Sequence, residues 1–193
     1  MPISNITRIA AICASLSLAA CASTGMESAG SRAGDTIVGG APMYASRNIV
    51  QNAVNSQDHT TLVAAVTAAG LVDTLSGAGP FTVFAPTNSA FAKLPAGTVD
   101  TLLQPANKQM LQSVLTYHVV SGNVTAAQLA QKIRAGGGSA RLTTVQGGTL
   151  TARMAGGGIV LVDAKGGIAR VTQADVMQSN GVIHVTDTVS LPG

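Results

Sequence analysis

The sequence contains no tryptophan, and aromatic residues make up only 3% of its 193 residues. Proteins that bind single-stranded nucleic acid or sugar rings usually present aromatic side chains for stacking. Charged residues are also sparse, at 10%, and the net charge of +3 comes from basic residues that form no run. Nucleic-acid binding depends on clustered Lys and Arg. The composition therefore predicts no nucleic-acid partner.

Cysteine is equally scarce, with one near the start and one at position 21. Arg8 precedes an apolar stretch over residues 9–20, which is shorter than the ~20 residues that span a bilayer and is typical of a secretory signal peptide. The segment ends in Leu-Ala-Ala-Cys21, which resembles a bacterial lipobox. That resemblance implies removal of residues 1–20 and lipidation of Cys21. The alternative is an ordinary signal-peptidase site followed by an incidental cysteine.

Once the signal is removed, the chain would carry no cysteine pair for a disulfide and no cysteine-based metal site. Residues 21–41 start with the lipidated Cys21 and continue with Gly, Ser, Ala and Thr without apolar periodicity, which predicts a flexible tether. Hydrophobic residues make up 46% of the chain, and there are 22 glycines and 7 prolines. Residues 42–193 are therefore expected to fold as one domain with many tight turns.

The first half of this domain has helical patterns. Apolar residues recur at helical spacing over residues 62–69, and Gly70 is placed to end that helix. A second apolar stripe covers residues 111–118. Thr125 and Gln128 have the spacing of a capping box, which predicts the start of a third helix.

Strand patterns dominate the rest. Residues 81–85 form a short β-branched and aromatic run before Pro86, which predicts a buried strand. After residue 140, glycine pairs separate five strand-like segments, at 141–145, 149–154, 159–163, 168–174 and 182–189. Residues 159–162 are apolar throughout and are expected to be central in a sheet. Helices followed by a β-meander predict an α+β domain.

Three segments in order, residues 81–91, 115–120 and 179–187, resemble the first conserved motif, the Tyr-His motif and the second conserved motif of fasciclin domains. The resemblance covers residues 43–192. It implies a fasciclin-like α+β fold in which N-terminal helices wrap a β-sandwich-like core with a C-terminal β-meander. It also implies an extracellular role in adhesion or matrix contact. The motif residues expected to be structural are Thr82, Phe84, Pro86, Thr87, Asn88, Phe91, Tyr117, His118, Asn180, Gly181, His184 and Asp187.

Several motif residues have a local physical role as well. Thr87 or Asn88 can cap a short helix that carries Phe91 inward. The family often has an acidic residue where Ser89 stands. The Asn180-Gly181 pair is typical of a tight turn with positive φ angles into the last strand.

The three histidines are the main candidates for chemistry. His118 continues an apolar stripe, which favours a core histidine bonded to backbone over a metal ligand or base. His184 is expected to face solvent or a helix, and His59 stands at a helix start beside Asp58. Their spacing matches no zinc motif, and hydrolase and phosphate-loop motifs are absent. The sequence therefore predicts no metal, no cofactor and no enzyme activity, although a dispersed Ser-His-Asp triad stays open.

A candidate contact segment covers residues 173–181, which we predict to be a turn-rich connection between two strands. In animal fasciclin domains an Asp-Ile pair before the second conserved motif is associated with integrin binding, and Asp175-Val176 occupies the matching place. The candidate partner-binding residues are Asp175, Val176, Met177, Gln178 and Asn180. The alternative is that Asp175 is a solvated turn residue and Val176 packs in the core.

These observations predict a non-catalytic adhesion or binding module, held in the bacterial cell envelope by its lipid, on the periplasmic or cell-surface side. The expected partner is a surface or matrix protein or a polysaccharide, with membrane contact through the lipid only. The alternative is a periplasmic carrier of a small ligand or lipid. A closed apolar pocket would favour the carrier, whereas a filled core with an exposed patch would favour adhesion.

Overall fold

The computed structural model describes residues 36–193. The predictions for the signal peptide and for Cys21 lie outside the described residues. Seven α-helices are present in this part of the chain: α1 Ile49–Ala53, α2 Thr60–Ala69, α3 Val72–Ser76, α4 Asn88–Ala92, α5 Thr98–Leu103, α6 Lys108–Tyr117 and α7 Ala126–Ala135. Short 3-10 turns cover Gln57–His59 and Pro105–Asn107.

Nine strands accompany them within residues 36–193: β1 Thr36–Val38, β2 Ala41–Met43, β3 Phe81–Pro86, β4 Val119–Ser121, β5 Ser139–Thr143, β6 Thr149–Ala155, β7 Gly158–Val162, β8 Ile168–Gln178 and β9 Gly181–Thr186. Strands β1 and β2 form a separate hairpin, and the other seven strands make one sheet in the order β4-β3-β9-β8-β7-β6-β5.

The hairpin corrects the predicted tether. The composition predicts a flexible segment through residue 41, yet Thr36 pairs with Met43 and Val38 with Ala41. Val38 is buried in the core, and Gln173 Nε2 donates a hydrogen bond to the Ile37 carbonyl at 3.0 Å. These residues therefore belong to the folded domain. The β-branched run at 36–38 forms a strand because two glycines follow it and turn the chain back.

The seven-stranded sheet is nearly closed on itself. An isolated antiparallel bridge joins Val120, at one edge, to Thr144, just beyond the strand at the other edge. The meander β5 to β9 is antiparallel throughout, as the glycine breaks predict. Strand β9 then pairs in parallel with β3, whose start lies 100 positions earlier in the chain. This pairing joins the helical half of the domain to the meander, and the α+β prediction is confirmed.

Two hydrophobic cores lie on opposite faces of β3. Val83 and Ala85 point toward helices α1 to α6 in the first core, whereas Phe84 points into the second core with α7 and the meander. This alternation follows from the period of two along a strand. Because β3 lies between the two cores, its side chains contact both the helical half of the domain and the meander.

The local signals predicted the helix ends well. Helix α2 stops at Gly70, which has the left-handed φ of 72° expected of a C-terminal glycine. Thr125 and Gln128 form the predicted capping box of α7. Thr87, one of the two residues considered for capping α4, accepts a hydrogen bond from the Ala90 N–H at 3.3 Å.

The predicted turn over residues 173–181 is wrong. Strand β8 continues to Gln178, and only two residues separate it from β9. The pairing between β8 and β9 contains register shifts on either side of Gln173, and Asp175 adopts a left-handed φ of 57°. The strand therefore continues through a bulge. Polar residues suggested a turn, but they are explained by contacts inside the domain.

Candidate functional site

The motif residues converge on the chain segment that leads into α7. Thr82, buried in β3, accepts a hydrogen bond from the Val124 N–H at 2.8 Å and donates one to the Gly122 carbonyl at 2.6 Å. A single hydroxyl therefore satisfies two backbone groups of a loop that has no strand partner of its own. Buried backbone groups without partners are costly, so Thr82 positions the start of α7.

His184 binds the same segment from the neighbouring strand. Its Nε2 lies 2.8 Å from the Val124 carbonyl, its Nδ1 accepts from the Asp175 N–H at 3.3 Å, and its ring stacks on Phe84 at a centroid distance of 5.5 Å. These partners define the neutral ring with hydrogen on Nε2. Of the two orientations predicted, the solvent-facing one is wrong, because the ring is fully buried beside the start of α7.

Burial lowers the pKa of His184 below its ordinary value of 6.5, although the hydrogen bond with the Val124 carbonyl and the charge of Asp175 oppose this shift. Desolvation disfavours the imidazolium form more than these two contacts favour it. The ring therefore remains neutral and serves as a fixed link between β8, β9 and the segment before α7.

Asp175 completes this group of contacts. Its Oδ1 accepts a hydrogen bond from the Ala126 N–H at 2.7 Å, at the first residue of α7. The first N–H groups of a helix have no partner within the helix. Asp175, in strand β8, caps α7 from a distant part of the sequence, and Thr125 caps it from the position just before the helix. The neighbouring Val176 is almost fully buried in the first core. Asp175 is thus a half-buried capping residue rather than a solvated one.

Gln178 and Asn180, two further candidate contact residues, are buried and hold helices. Asn180 Oδ1 accepts from the Ile49 N–H at 3.0 Å, and its Nδ2 donates to the carbonyls of Leu75 and Gly77 at 2.8 Å each. This side chain joins the start of α1 to the end of α3. Gln178 Oε1 accepts a hydrogen bond from the buried amide of Asn52.

The Asn180-Gly181 pair does not work as a positive-φ turn in the predicted sense. Asn180 has no positive φ, and Gly181 is close to extended at 159°. Glycine is required there because a Cβ would overlap the Phe81 carbonyl, where β9 begins its parallel pairing with β3. Among the five candidate contact residues, Met177 is the most accessible, with 40% of its surface exposed.

The Tyr-His motif fixes the other end of the sheet. Tyr117 donates to the Thr149 carbonyl at 2.7 Å and accepts from the Ala164 N–H at 3.0 Å. His118 Nδ1 lies 2.8 Å from the Val114 carbonyl, and its Nε2 accepts from the Ser190 N–H at 3.0 Å. His118 is therefore placed as the core histidine that the apolar stripe favours, with both ring nitrogens bonded to backbone. Burial lowers its pKa, opposed by the hydrogen bond with Val114 and the charge of Asp163.

The remaining polar motif residues connect turns and helix ends through hydrogen bonds and an ion pair. Asn88 Oδ1 accepts from the Thr61 N–H at 3.0 Å and its Nδ2 donates to the Gln57 carbonyl at 2.8 Å, linking α4 to the start of α2. Asp187 Oδ1 accepts from the Arg170 N–H at 2.9 Å, and Lys93 lies 3.6 Å from its other oxygen. Burial alone would raise the pKa of Asp187, but these partners and the Thr188 hydroxyl hold the pKa below its ordinary value. Phe91 packs in the first core, and Pro86 ends β3.

Sequence reasoning did not single out six of the buried polar residues: Asn52, Ser56, Thr144, Asp163, Thr186 and Ser190. Asp163 Oδ1 accepts from the Gly167 N–H at 2.7 Å, and its Oδ2 accepts from the Leu191 N–H at 2.9 Å. A glycine two to four residues after an aspartate is a signal for such a turn. Nothing local distinguishes Asn52, because its partners come from β8 and from the chain before α1.

His59 is the third buried histidine. Its Nδ1 lies 2.8 Å from Ser56 Oγ, whereas its Nε2 is the one buried side-chain polar atom in residues 36–193 without a hydrogen-bond partner of good geometry. Burial lowers the pKa of His59, opposed by the nearby Ala85 carbonyl and the charge of Asp58.

An apolar cavity of about 160 Å³ lies between helices α1, α2 and α3 and the buried ends of β3, β4 and α6. Val83, Leu115 and Val119 line its floor, and Val54 and Thr67 stand at its mouth. A second cavity of about 30 Å³ adjoins it, shares Ile49, Ala53, Leu62 and Val83 as lining residues, and is also lined by His59. The carrier alternative calls for a closed apolar pocket, whereas this cavity opens to solvent beside the exposed Val54 and Thr67.

Within residues 36–193, no group of three His, Cys, Asp or Glu side chains is arranged to hold a metal ion. No helix in the same part of the chain is long and apolar enough to cross a membrane. Thr87, Asn88 and Asp187 are half-buried and the other motif residues are buried or nearly so. Their polar groups mostly bind backbone atoms, so in this domain they organise the fold.

A helical layer on a nearly closed sheet, with buried motif residues joining the two, defines an α+β domain of the fasciclin type. The fasciclin domain model matches residues 57–192, and the chain belongs to this family. The resemblance carried by the three motifs is confirmed.

Proteins with related sequences and folds agree. Protein sll1483 of Synechocystis is 48% identical over 156 residues, covering 81% of this chain and 79% of that protein. Cell surface glycolipoprotein MPB83 of Mycobacterium bovis is 37% identical over 122 residues, covering 63% of this chain and 48% of that protein. The domain pair of the insect cell adhesion molecule Fasciclin I shares the fold, with a TM-score of 0.66 at 19% identity over 74% of this chain and 50% of that one.

Proposed function

We propose that this protein is an exported binding module that attaches the cell envelope to a surface or matrix protein or polysaccharide. The observation that carries the proposal is that the motif side chains bind backbone inside the domain. Chemistry at those positions would require breaking the contacts that hold α1, α3 and α7. The domain therefore offers its outer surface for function. The relatives named as a cell-surface glycolipoprotein and a cell adhesion molecule support this role.

The anchor in this proposal is a lipid on Cys21. The Leu-Ala-Ala-Cys spacing behind a short apolar segment motivates it. Replacing Cys21 by Ser should release the protein from membranes, and wild-type protein should incorporate labelled fatty acid. A Cys21→Ser variant that fractionates with membranes as wild type does, together with no label on wild type, would contradict the anchor.

The contact surface we propose includes the hairpin β1–β2 and the exposed side of β8. Ile37 is 66% exposed and Met177 is 40% exposed, and both are large apolar side chains on rigid strands. Gln173 holds the hairpin against β8 by its hydrogen bond to the Ile37 carbonyl. Exposed apolar side chains on a rigid scaffold are typical anchors of a protein contact.

Affinity capture with envelope fractions and extracellular polymer can test this surface. A variant with Ile37→Glu and Met177→Glu should fold and lose most of the captured partner. The matched control carries Met110→Glu and Ile168→Glu, at apolar residues that are 60% and 61% exposed elsewhere on the domain. Equal capture by both variants would place the contact on another surface.

A further inference from the structure

The cavity beneath helices α1, α2 and α3 has the size and lining of a ligand site. Protein interiors contain few voids larger than one water molecule. An apolar cavity of about 150 Å³ in another protein stays dry and binds benzene, and the present cavity, at about 160 Å³, is of the same size. Its volume therefore fits a benzene-sized ring, or the end of an aliphatic chain of about the same volume.

The chemistry of the lining determines the charge of such a ligand. Two lining residues carry polar side chains, Thr67 at the mouth and His118 at depth. Both nitrogens of His118 are already bonded, to Val114 and Ser190. Nothing in the lining could neutralise a charged group, and burying an unpaired charge is strongly unfavourable. The part of the ligand inside the cavity must be uncharged hydrocarbon.

A ligand can reach the cavity from solvent along the helices that line it. Val54 lines the cavity and yet is 54% exposed, and Val50, Val63 and Val72 are partly exposed along the same rim. An exposed valine beside an apolar cavity gives a ligand an apolar path from solvent.

We propose that this cavity binds a small uncharged hydrocarbon group, either a free benzene-sized molecule or the end of a neutral lipid chain. None of the residues that line this cavity belongs to the hairpin or to β8, which carry the contact surface proposed above. Binding would add a carrier or sensor function to an adhesion module.

The test titrates the purified protein with benzene in one experiment and with 1-octanol in another, following backbone amide shifts by NMR. Saturable shifts at cavity residues such as Val66 and Leu115 are expected with at least one probe. Tighter binding of benzene would indicate a compact free ligand, and tighter binding of 1-octanol a chain end. The absence of saturable shifts with both probes would overturn the proposal.

Ala53→Leu fills the cavity wall and should weaken binding by about tenfold or more, the effect of one excess methylene in an apolar pocket. Ala64→Leu, at an exposed position of α2 outside the lining, is the matched control and should bind as wild type does. If Ala53→Leu does not fold, Val63→Phe narrows the partly exposed mouth instead. Equal affinity in wild type and a folded cavity variant would show that the ligand binds elsewhere and would refute the site.

Discussion

Replacing Asp175 tests the contacts at the start of α7 most directly. This residue both caps the helix and has a left-handed φ angle, so its loss affects the free energy of unfolding in two ways. In an Asp175→Ala variant the Ala126 N–H at the start of α7 loses its acceptor. Removing a helix-capping side chain costs about 1 kcal/mol. Alanine must also adopt the left-handed φ of 57°, which costs roughly 1–2 kcal/mol for a residue with a Cβ and no local hydrogen bond. The free energy of unfolding should therefore fall by about 2–3 kcal/mol.

Asp175→Asn is the matched control. Asparagine keeps an oxygen that can accept from Ala126 and tolerates the left-handed region, so this variant should lose less than about 1 kcal/mol. Urea unfolding followed by circular dichroism gives the difference between the two variants. Hydrogen exchange at the Ala126 amide should accelerate in Asp175→Ala only.

One outcome would refute this reasoning, and another would add a second role for Asp175. Equal stability of Asp175→Ala and Asp175→Asn would show that neither the cap nor the backbone angle matters. An Asp175→Asn variant that is fully stable but no longer captures the partner would show instead that the carboxylate contacts that partner. The parallel with the animal Asp-Ile site would then hold despite the capping role.

Three further predictions follow from buried groups. His59, His118 and His184 have lowered pKa values and are neutral when folded, so the unfolded chain binds more protons below pH about 6.5. The unfolding free energy should fall as the pH drops below that value, by up to about 1.4 kcal/mol per pH unit for each histidine until the pKa of the folded state is passed. Equal unfolding free energies from urea titrations at pH 8 and pH 5 would contradict this prediction. Gly181→Ala should lose about 1–3 kcal/mol through overlap with the Phe81 carbonyl. The loss should exceed that of Gly158→Ala, whose Cβ would come no closer than 4.0 Å to another atom and whose φ is not left-handed, and equal thermal midpoints would refute the overlap. His118→Ala should lose about 1–3 kcal/mol by orphaning the Ser190 N–H, and a fully stable variant that loses partner capture would make His118 a functional residue.

The sequence predicted local structure well where the stabilising contacts are made between residues that are close in the sequence. The Thr125 capping box, the Gly70 helix end and the glycine-separated hairpins all depend on partners within about five positions. Predictions failed where a distant element supplies the partner. Residues 36–41 fold because Val38 reaches the first core. The polar side chains of Asp175, Gln178 and Asn180 face the domain because groups of helices α7, α1 and α3 form hydrogen bonds with them.

The motifs predicted residues that hold the fold, but they did not predict the cavity. The family resemblance identified Thr82, His118 and His184 as structural residues, and the structure gives each of them backbone partners. Composition and spacing could not show the cavity, since an apolar residue that lines a void has the same pattern as one that packs tightly. The difference lies in how helices α1, α2 and α3 are placed above β3.

The sequence alone determined the phases of α2, α6 and α7, the Thr125 capping box, the hairpins of the meander and the family. These features depend on spacing along the chain, and spacing is printed in the sequence. Tertiary structure decided the parallel pairing of β3 with β9, the left-handed bulge at Asp175 and the contact between Ile49 and Asn180, which are 131 positions apart. Such contacts form only when the whole chain is folded, because their geometry depends on every element between the two partners.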